Sequence, residues 1–293
     1  MIVCNLLFRY RTSFILIGFL WLCNESFATT IHQALYINRG TFVTVKSTTF
    51  PFLAFNETNT FNALNKVVLA SIGDSLQITL TNNDTLIHGF SIQQSGVQLT
   101  VGVGQTTNIL YVANAAGNFI YYDHLNAPDN RYLGLAGMIC VSSSTVQKYF
   151  WNLKEHQSDF NLSLSQGITV NWNTYYPDYF TINGKSFPDL QNDSTAKVTA
   201  HVGDTLLIFV ANTGQSMHSL HFHGFHALCI FSSDANKKLN WEKDTWPLKS
   251  MESIVLELIP DKTGKYSVHD HNLVAVTAGN THPNGMFTIM EIQ

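Results

Sequence analysis

Charge is scarce in this chain of 293 residues. Only 12% of its residues are charged, about half the usual share of roughly 25%. Sixteen basic residues stand against twenty acidic ones, a formal net charge of −4. No basic field therefore exists to hold nucleic acid. Disorder is excluded by the same figures, because 45% of the residues are hydrophobic and 12% aromatic, the reverse of a disordered composition.

Cysteine is also sparse: four residues, none in a CxxC pair, which excludes a thiolate zinc site or a redox motif. Long apolar runs are missing beyond the N-terminus. There, Phe14 to Cys23 follows Arg9 and Arg11 and precedes the small residues Ser26 and Ala28. That run has the length of a signal-peptide core and falls short of the about 20 residues needed to span a bilayer. The reading is an export signal over residues 1–28, cleaved near Ala28, with the mature chain periplasmic or secreted and no stable membrane insertion. Cleavage leaves Cys140 and Cys229, in different halves of the chain. A bridge in an oxidising compartment and two buried thiols both remain open.

Helical periodicity is the third thing in short supply. Alternating Val, Ile, Thr, Phe and Tyr, punctuated by Gly, Asn, Asp and Ser, predicts an all-β sandwich or barrel protein. The pattern occurs twice. Ser71 to Asn82 matches His201 to Asn212, each a Gly-Asp turn followed by an alternating strand. His88-Gly89-Phe90 is set against His223-Gly224-Phe225, and Gly117 to His124 against Gly264 to His271. Gly137-Met138 and Gly285-Met286 close the copies. A repeat of this length means tandem domains and not a solenoid. The expected division is a first domain over 29–144, a polar linker with a short helix over 145–161, and a second domain over 162–293.

What the chain has in quantity is histidine: twelve residues, six of them in two short windows. In a strand, alternate side chains share a face. His221 and His223 therefore point one way while Leu220 and Phe222 point to the core, and His269 and His271 flank Asp270 in the same manner. Two such strands side by side bring four imidazoles to one place. Neutral imidazole suits copper, zinc, iron and nickel. With no cysteine or clustered carboxylate beside it, the set argues against structural zinc.

These residues carry a resemblance. Met217-His218-Ser219-Leu220-His221-Phe222-His223-Gly224 is similar to the H-x-x-H-x-H-G of two-domain multicopper oxidases of the cupredoxin superfamily. Gly264 to His271, followed by Gly285-Met286, is similar to their G-x-[WY]-x-x-H-C-H…G-M, and Tyr179 to Gly184 resembles their domain-entry strand. The resemblance implies two tandem cupredoxin-type Greek-key β-sandwich domains, copper as cofactor, and a homo-oligomer, a trimer, with centres between subunits. It implies metal ligands at His88, His124, His221, His223, His269 and His271.

The chain departs from that pattern where the family's blue-copper cysteine would stand. Asp270 occupies the position, and Asp123 its first-domain counterpart. Ala275 and Pro128 stand where the second blue-site histidine is expected. Aspartate is a hard oxygen ligand and cannot supply copper–thiolate bonding. A buried carboxylate needs a partner: backbone, or His218, or a weak second metal held by His218 and Asp270. In the first domain Leu86 and Tyr122 replace two cluster histidines. The expectation is an exported copper protein with a histidine-only centre and no blue site. It is either an oxidoreductase acting with dioxygen or another small molecule, or a non-catalytic copper-binding, sequestration or delivery protein.

Overall fold

The computed structural model describes residues 28–234 and 238–293. The export segment expected over 1–28 lies, apart from Ala28, outside the described residues. In the first half the strands are β1 (Thr30–Val43), β2 (Thr49–Asn56), β3 (Val67–Ala70), β4 (Ser75–Asn82), β5 (His88–Ile92), β6 (Gln98–Val101), β7 (Thr106–Val112), β8 (Gly117–Tyr122) and β9 (Ala136–Val141). The short helix α1 (Asp129–Tyr132) separates the last two. They form two sheets, ordered β2-β1-β4-β7 and β3-β9-β8-β5-β6.

The second half repeats this with β10 (Gln147–His156), the helix α2 (Ser158–Ser165), β11 (Tyr179–Ile182), β12 (Thr199–Ala200), β13 (Leu206–Asn212), β14 (His218–Phe222), β15 (Ala227–Ser232), β16 (Glu242–Lys243), β17 (Thr245–Leu248), β18 (Ser253–Leu258), β19 (Gly264–Asp270) and β20 (Phe287–Ile292). Its sheets run β11-β10-β13-β18-β15-β16 and β12-β20-β19-β14-β17. The strand order of the first half recurs, with β15 and β16 added at one edge. The expected all-β architecture of two sandwiches is what the molecule has.

The linker expected over 145–161 is corrected by this topology. Gln147–His156 is β10, paired in parallel with β13 and antiparallel with β11. It is the counterpart of β1, so the second domain begins near residue 147 and not at 162. The short helix is present as α2. The strand reads as polar because Asn152, Lys154 and Glu155 are buried with distant hydrogen-bond partners and His156 is buried among Phe42, Phe50 and Phe52, not because it is solvated.

Period-2 burial explains the strands. Along β4, Leu76, Ile78, Leu80 and Asn82 are buried while Gln77 and Thr79 face water. Its counterpart β13 is buried throughout. One face, Leu206, Ile208 and Val210, fills the second domain's core. The other, Leu207, Phe209 and Ala211, meets Ile120, Met138 and Cys140 of the first domain. The two sandwiches share this apolar seam, each large side chain in it contributing about 1.5–3 kcal/mol. Cys140 and Cys229 are both buried and both free. Met138 and Met286 are buried packing residues.

Candidate metal centre

The antiparallel register of β14 and β19 sets His221 directly opposite His269, with Leu220 opposite Asp270 and Phe222 opposite Val268. Leu220, Phe222 and Val268 sink into the core, so the histidines are turned outward. The ring of His221 lies 4.7 Å from His223, 5.7 Å from His269 and 5.5 Å from His271. His223 and His269 are 5.0 Å apart by centroid, and their Nε2 atoms are 2.9 Å apart. The four imidazoles expected to converge do so. His221 and His269 are half-buried, while His223 and His271 are exposed.

The outer nitrogens are held. His269 Nδ1–H donates to the Asp270 carbonyl at 2.8 Å, which fixes the tautomer and leaves the Nε2 lone pair toward His223. His221 Nδ1 meets Thr245 Oγ1 at 2.9 Å, leaving its Nε2 free. This is how metal-binding histidines are oriented. Burial and then His221 and His269 hold the His223 pKa below the ordinary value, favouring the neutral, ligating ring.

As the side chains stand, among the described residues no group of three or more His, Cys, Asp or Glu is arranged to hold a metal ion. The donor set nevertheless fits one. Two nitrogens about 2.0–2.1 Å from one ion and at a right angle would be about 2.9 Å apart, the separation of His223 and His269. His221, its ring 4.7 Å from that of His223, offers a further nitrogen beside this pair.

The first domain is different, and His88 is the correction. Its Nδ1 donates to Asp123 at 2.7 Å and its Nε2 to Asp84 at 2.8 Å, with the ring fully buried. Neither nitrogen is free for a metal. His218 does the same in the second domain, with Asp270 at 2.6 Å and Glu155 at 2.8 Å. His88-Gly89-Phe90 is therefore the counterpart of His218-Ser219-Leu220, not of His223-Gly224-Phe225. The register agrees, since Ser91 pairs with Tyr122 as His221 pairs with His269. Gln93 N donates to Ile120 O as His223 N donates to Ser267 O. Ser91, Gln93 and Tyr122 thus replace three imidazoles. His124 alone survives, its Nδ1 buried without a partner, and its ring is not among those meeting His221 or His269.

Asp84, Glu155, Arg131, Lys154 and His156 are the residues that sequence reasoning missed. Burial disfavours the His218 cation, but its hydrogen bonds to Asp270 and Glu155 overturn that and raise its pKa to about 9. His88 is raised by the same balance. Burial alone would raise the Glu155 carboxyl, yet the His218 hydrogen bond leaves it well below the usual range. Both imidazoles are thus clamped between two carboxylates, which favour the charged ring. Arg131, from α1 of the first domain, donates to Gly214 O at 2.9 Å and to Gln215 Oε1 at 2.7 Å. Lys154 donates to Arg131 O at 2.8 Å and to Thr213 O at 3.2 Å. Burial first, then Arg131, pushes the Lys154 pKa down to about 7. The only hint in the sequence was a Lys-Glu-His run in a chain with few charges.

Residues 158–283 match the family model of multicopper oxidases. No match is found among curated proteins. Among solved structures the chain is similar to a blue copper oxidase from Nitrosomonas europaea, at 22% identity and TM-score 0.77 over 90% of this chain and 86% of that one. It is similar to the multicopper oxidase mgLAC at 21% and 0.75, over 91% and 87%. A copper nitrite reductase from Nitrosomonas europaea follows at 19% and 0.71, over 90% and 94%. At such identities the likeness shows the cupredoxin fold. The family signature lies in the second domain, where the four histidines are.

Proposed function

We propose that the chain is a multicopper-oxidase-like copper protein whose metal centre is built from His221, His223, His269 and His271. The observation that carries this reading is the meeting of His223 Nε2 and His269 Nε2, each ring aimed at one spot. The fixed His269 tautomer and the Thr245 contact of His221 support it. Imidazole-only donors suit copper. When bound, copper would supply one-electron redox chemistry or Lewis acidity. The chain's own residues would orient it: the Asp270 carbonyl holds His269, and Thr245 holds His221. The exposed rings of His223 and His271 leave one side open to a small molecule such as dioxygen.

Export through the segment over 1–28 and a homo-oligomer belong to the same proposal. In a trimer, His124 is the one of the four corresponding first-domain positions that keeps an imidazole for a neighbouring subunit's quartet. No helix among the described residues is long and apolar enough to cross a membrane.

A second reading, non-catalytic copper binding, is favoured by the interiors of both domains. Where a thiolate would admit electrons, Asp123 and Asp270 are each locked to a histidine. Electrons must then come from a substrate at the centre itself, or turnover does not occur. Oxygen uptake separates the two. Copper-dependent uptake with a phenol or ferrous iron, lost in His221→Ala/His269→Ala, supports the oxidoreductase. Tight binding with no uptake supports the binder.

A further inference from the structure

We propose that the Glu155–His218–Asp270 clamp is a positioning device, acting from inside the sandwich to hold the outward-facing histidines of β14 and β19 together. The proposal rests on the copper reading of that quartet.

Asp270 lies between His269 and His271 in the chain, with its side chain on the opposite, fully buried face. Its Oδ2 accepts from His218 Nδ1 at 2.6 Å. Its Oδ1 accepts from Asn272 N at 2.8 Å and Ser219 N at 3.3 Å. One carboxylate thus joins the start of β14, which carries His221, to the end of β19, which carries His269 and His271. Glu155 extends the tie to the other sheet: its Oε2 accepts from His218 Nε2, and its Oε1 from the amides of Gln215 and Ser216, both at 2.7 Å.

The first domain shows that the clamp is specified as such. There the outer carboxylate is Asp84, four residues before His88; the position four before His218 is Gly214. A Cβ built on Gly214 would stand 1.8 Å from Glu155 Oε2. Glu155, reaching in from β10, fills the space that the side chain of Asp84 fills in the first domain. Two different elements deliver a carboxylate to one place, and in both domains the imidazole is enclosed. Only the second domain carries the histidine quartet on the far side of its clamp. The first-domain clamp is therefore a built-in control for a purely structural role.

The test compares Asp270→Asn and Glu155→Gln with Asp84→Asn in the full chain loaded with Cu(II). Dissociation constants, the Cu(II) electron paramagnetic resonance spectrum and urea unfolding are measured for each. Outer partners of metal ligands typically govern about 10–100-fold in affinity. Asp270→Asn and Glu155→Gln are expected to weaken copper binding within that range and to alter the spectrum. Asp84→Asn is expected to lower the urea midpoint similarly, with wild-type affinity and spectrum. Should Asp270→Asn prevent folding, Glu155→Gln carries the same reading, because the Glu155 carboxylate touches neither metal-bearing strand except through His218. Wild-type affinity and spectrum in Glu155→Gln, with a lowered urea midpoint, would overturn the proposal. Failure of the wild-type chain to bind copper would instead overturn the copper reading beneath it.

Discussion

His223 Nε2 and His269 Nε2 lie 2.9 Å apart across neighbouring strands. His269 spends its Nδ1 proton on the Asp270 carbonyl, so its Nε2 carries a lone pair and the contact is a single N–H···N bond. The same two atoms are placed to share an ion. Replacing either by alanine removes a ligand outright. His223→Ala and His269→Ala are each expected to weaken Cu(II) binding by at least about 100-fold, beyond the range of outer partners. Isothermal titration reads the loss directly.

His88 gives the opposite expectation. Both its nitrogens are engaged by Asp123 and Asp84, so His88→Ala leaves the copper count and affinity of the quartet unchanged. It also leaves two carboxylates facing one another, with Arg39 the cation still bonded to Asp84, at 2.6 Å. Breaking a buried charged set by removing one partner costs about 3–5 kcal/mol. Urea denaturation should show that loss, and copper titration should show none.

In the response to pH, Lys154 opposes the two clamped histidines. His218 is raised from an ordinary 6.5 to about 9. Its stabilisation is complete below about 6.5 and is lost as pH rises through about 9. Lys154 is lowered from 10.5 to about 7. Between those values the unfolded chain holds the extra proton, so this term makes stability rise with pH. From about pH 7 to 9 the rising Lys154 slope offsets part of the falling slopes of His218 and of the likewise raised His88. Lys154→Met removes the rising one. Its unfolding free energy should fall over that interval by about 3 kcal/mol more than that of the wild type, at roughly 1.4 kcal/mol per pKa unit.

Cys140 and Cys229 are unpaired and buried. Burial raises the Cys229 pKa to about 11 and that of Cys140 well above its ordinary value. The thiolate is the reactive form. Neither should react with a thiol reagent in the folded protein at neutral pH, and both should react in denaturant without prior reduction. Mass spectrometry of the labelled protein counts them.

Much of this was legible in the sequence because it depends on short-range periodicity. Alternation placed His221, His223, His269 and His271 outward, and the register of β14 and β19 brought them together. The need of a buried Asp270 for a partner pointed to His218, which the structure supplies. What was not legible depends on contacts far apart in the chain. β10 looked like a linker because its polar side chains find Arg131, Thr213 and His218 at distances no local pattern reveals. The misplacement of His88 has a sharper cause. His88-Gly89-Phe90 and His223-Gly224-Phe225 share letters for unrelated reasons. Gly224 sits in a turn at φ +81°, whereas a Cβ at Gly89 would stand 2.6 Å from His124 Nδ1. The hydrogen bonds of Asp123 and Asp270, not the letters, set the true alignment.

A copper count with electron paramagnetic resonance on the copper-loaded protein tests the account most directly. The wild type should retain Cu(II) with hyperfine splitting from imidazole nitrogens and without intense blue absorption, and His221→Ala/His269→Ala should retain none at the quartet. Copper held with the same spectrum in that double variant, or a wild-type chain that keeps no copper, would contradict it.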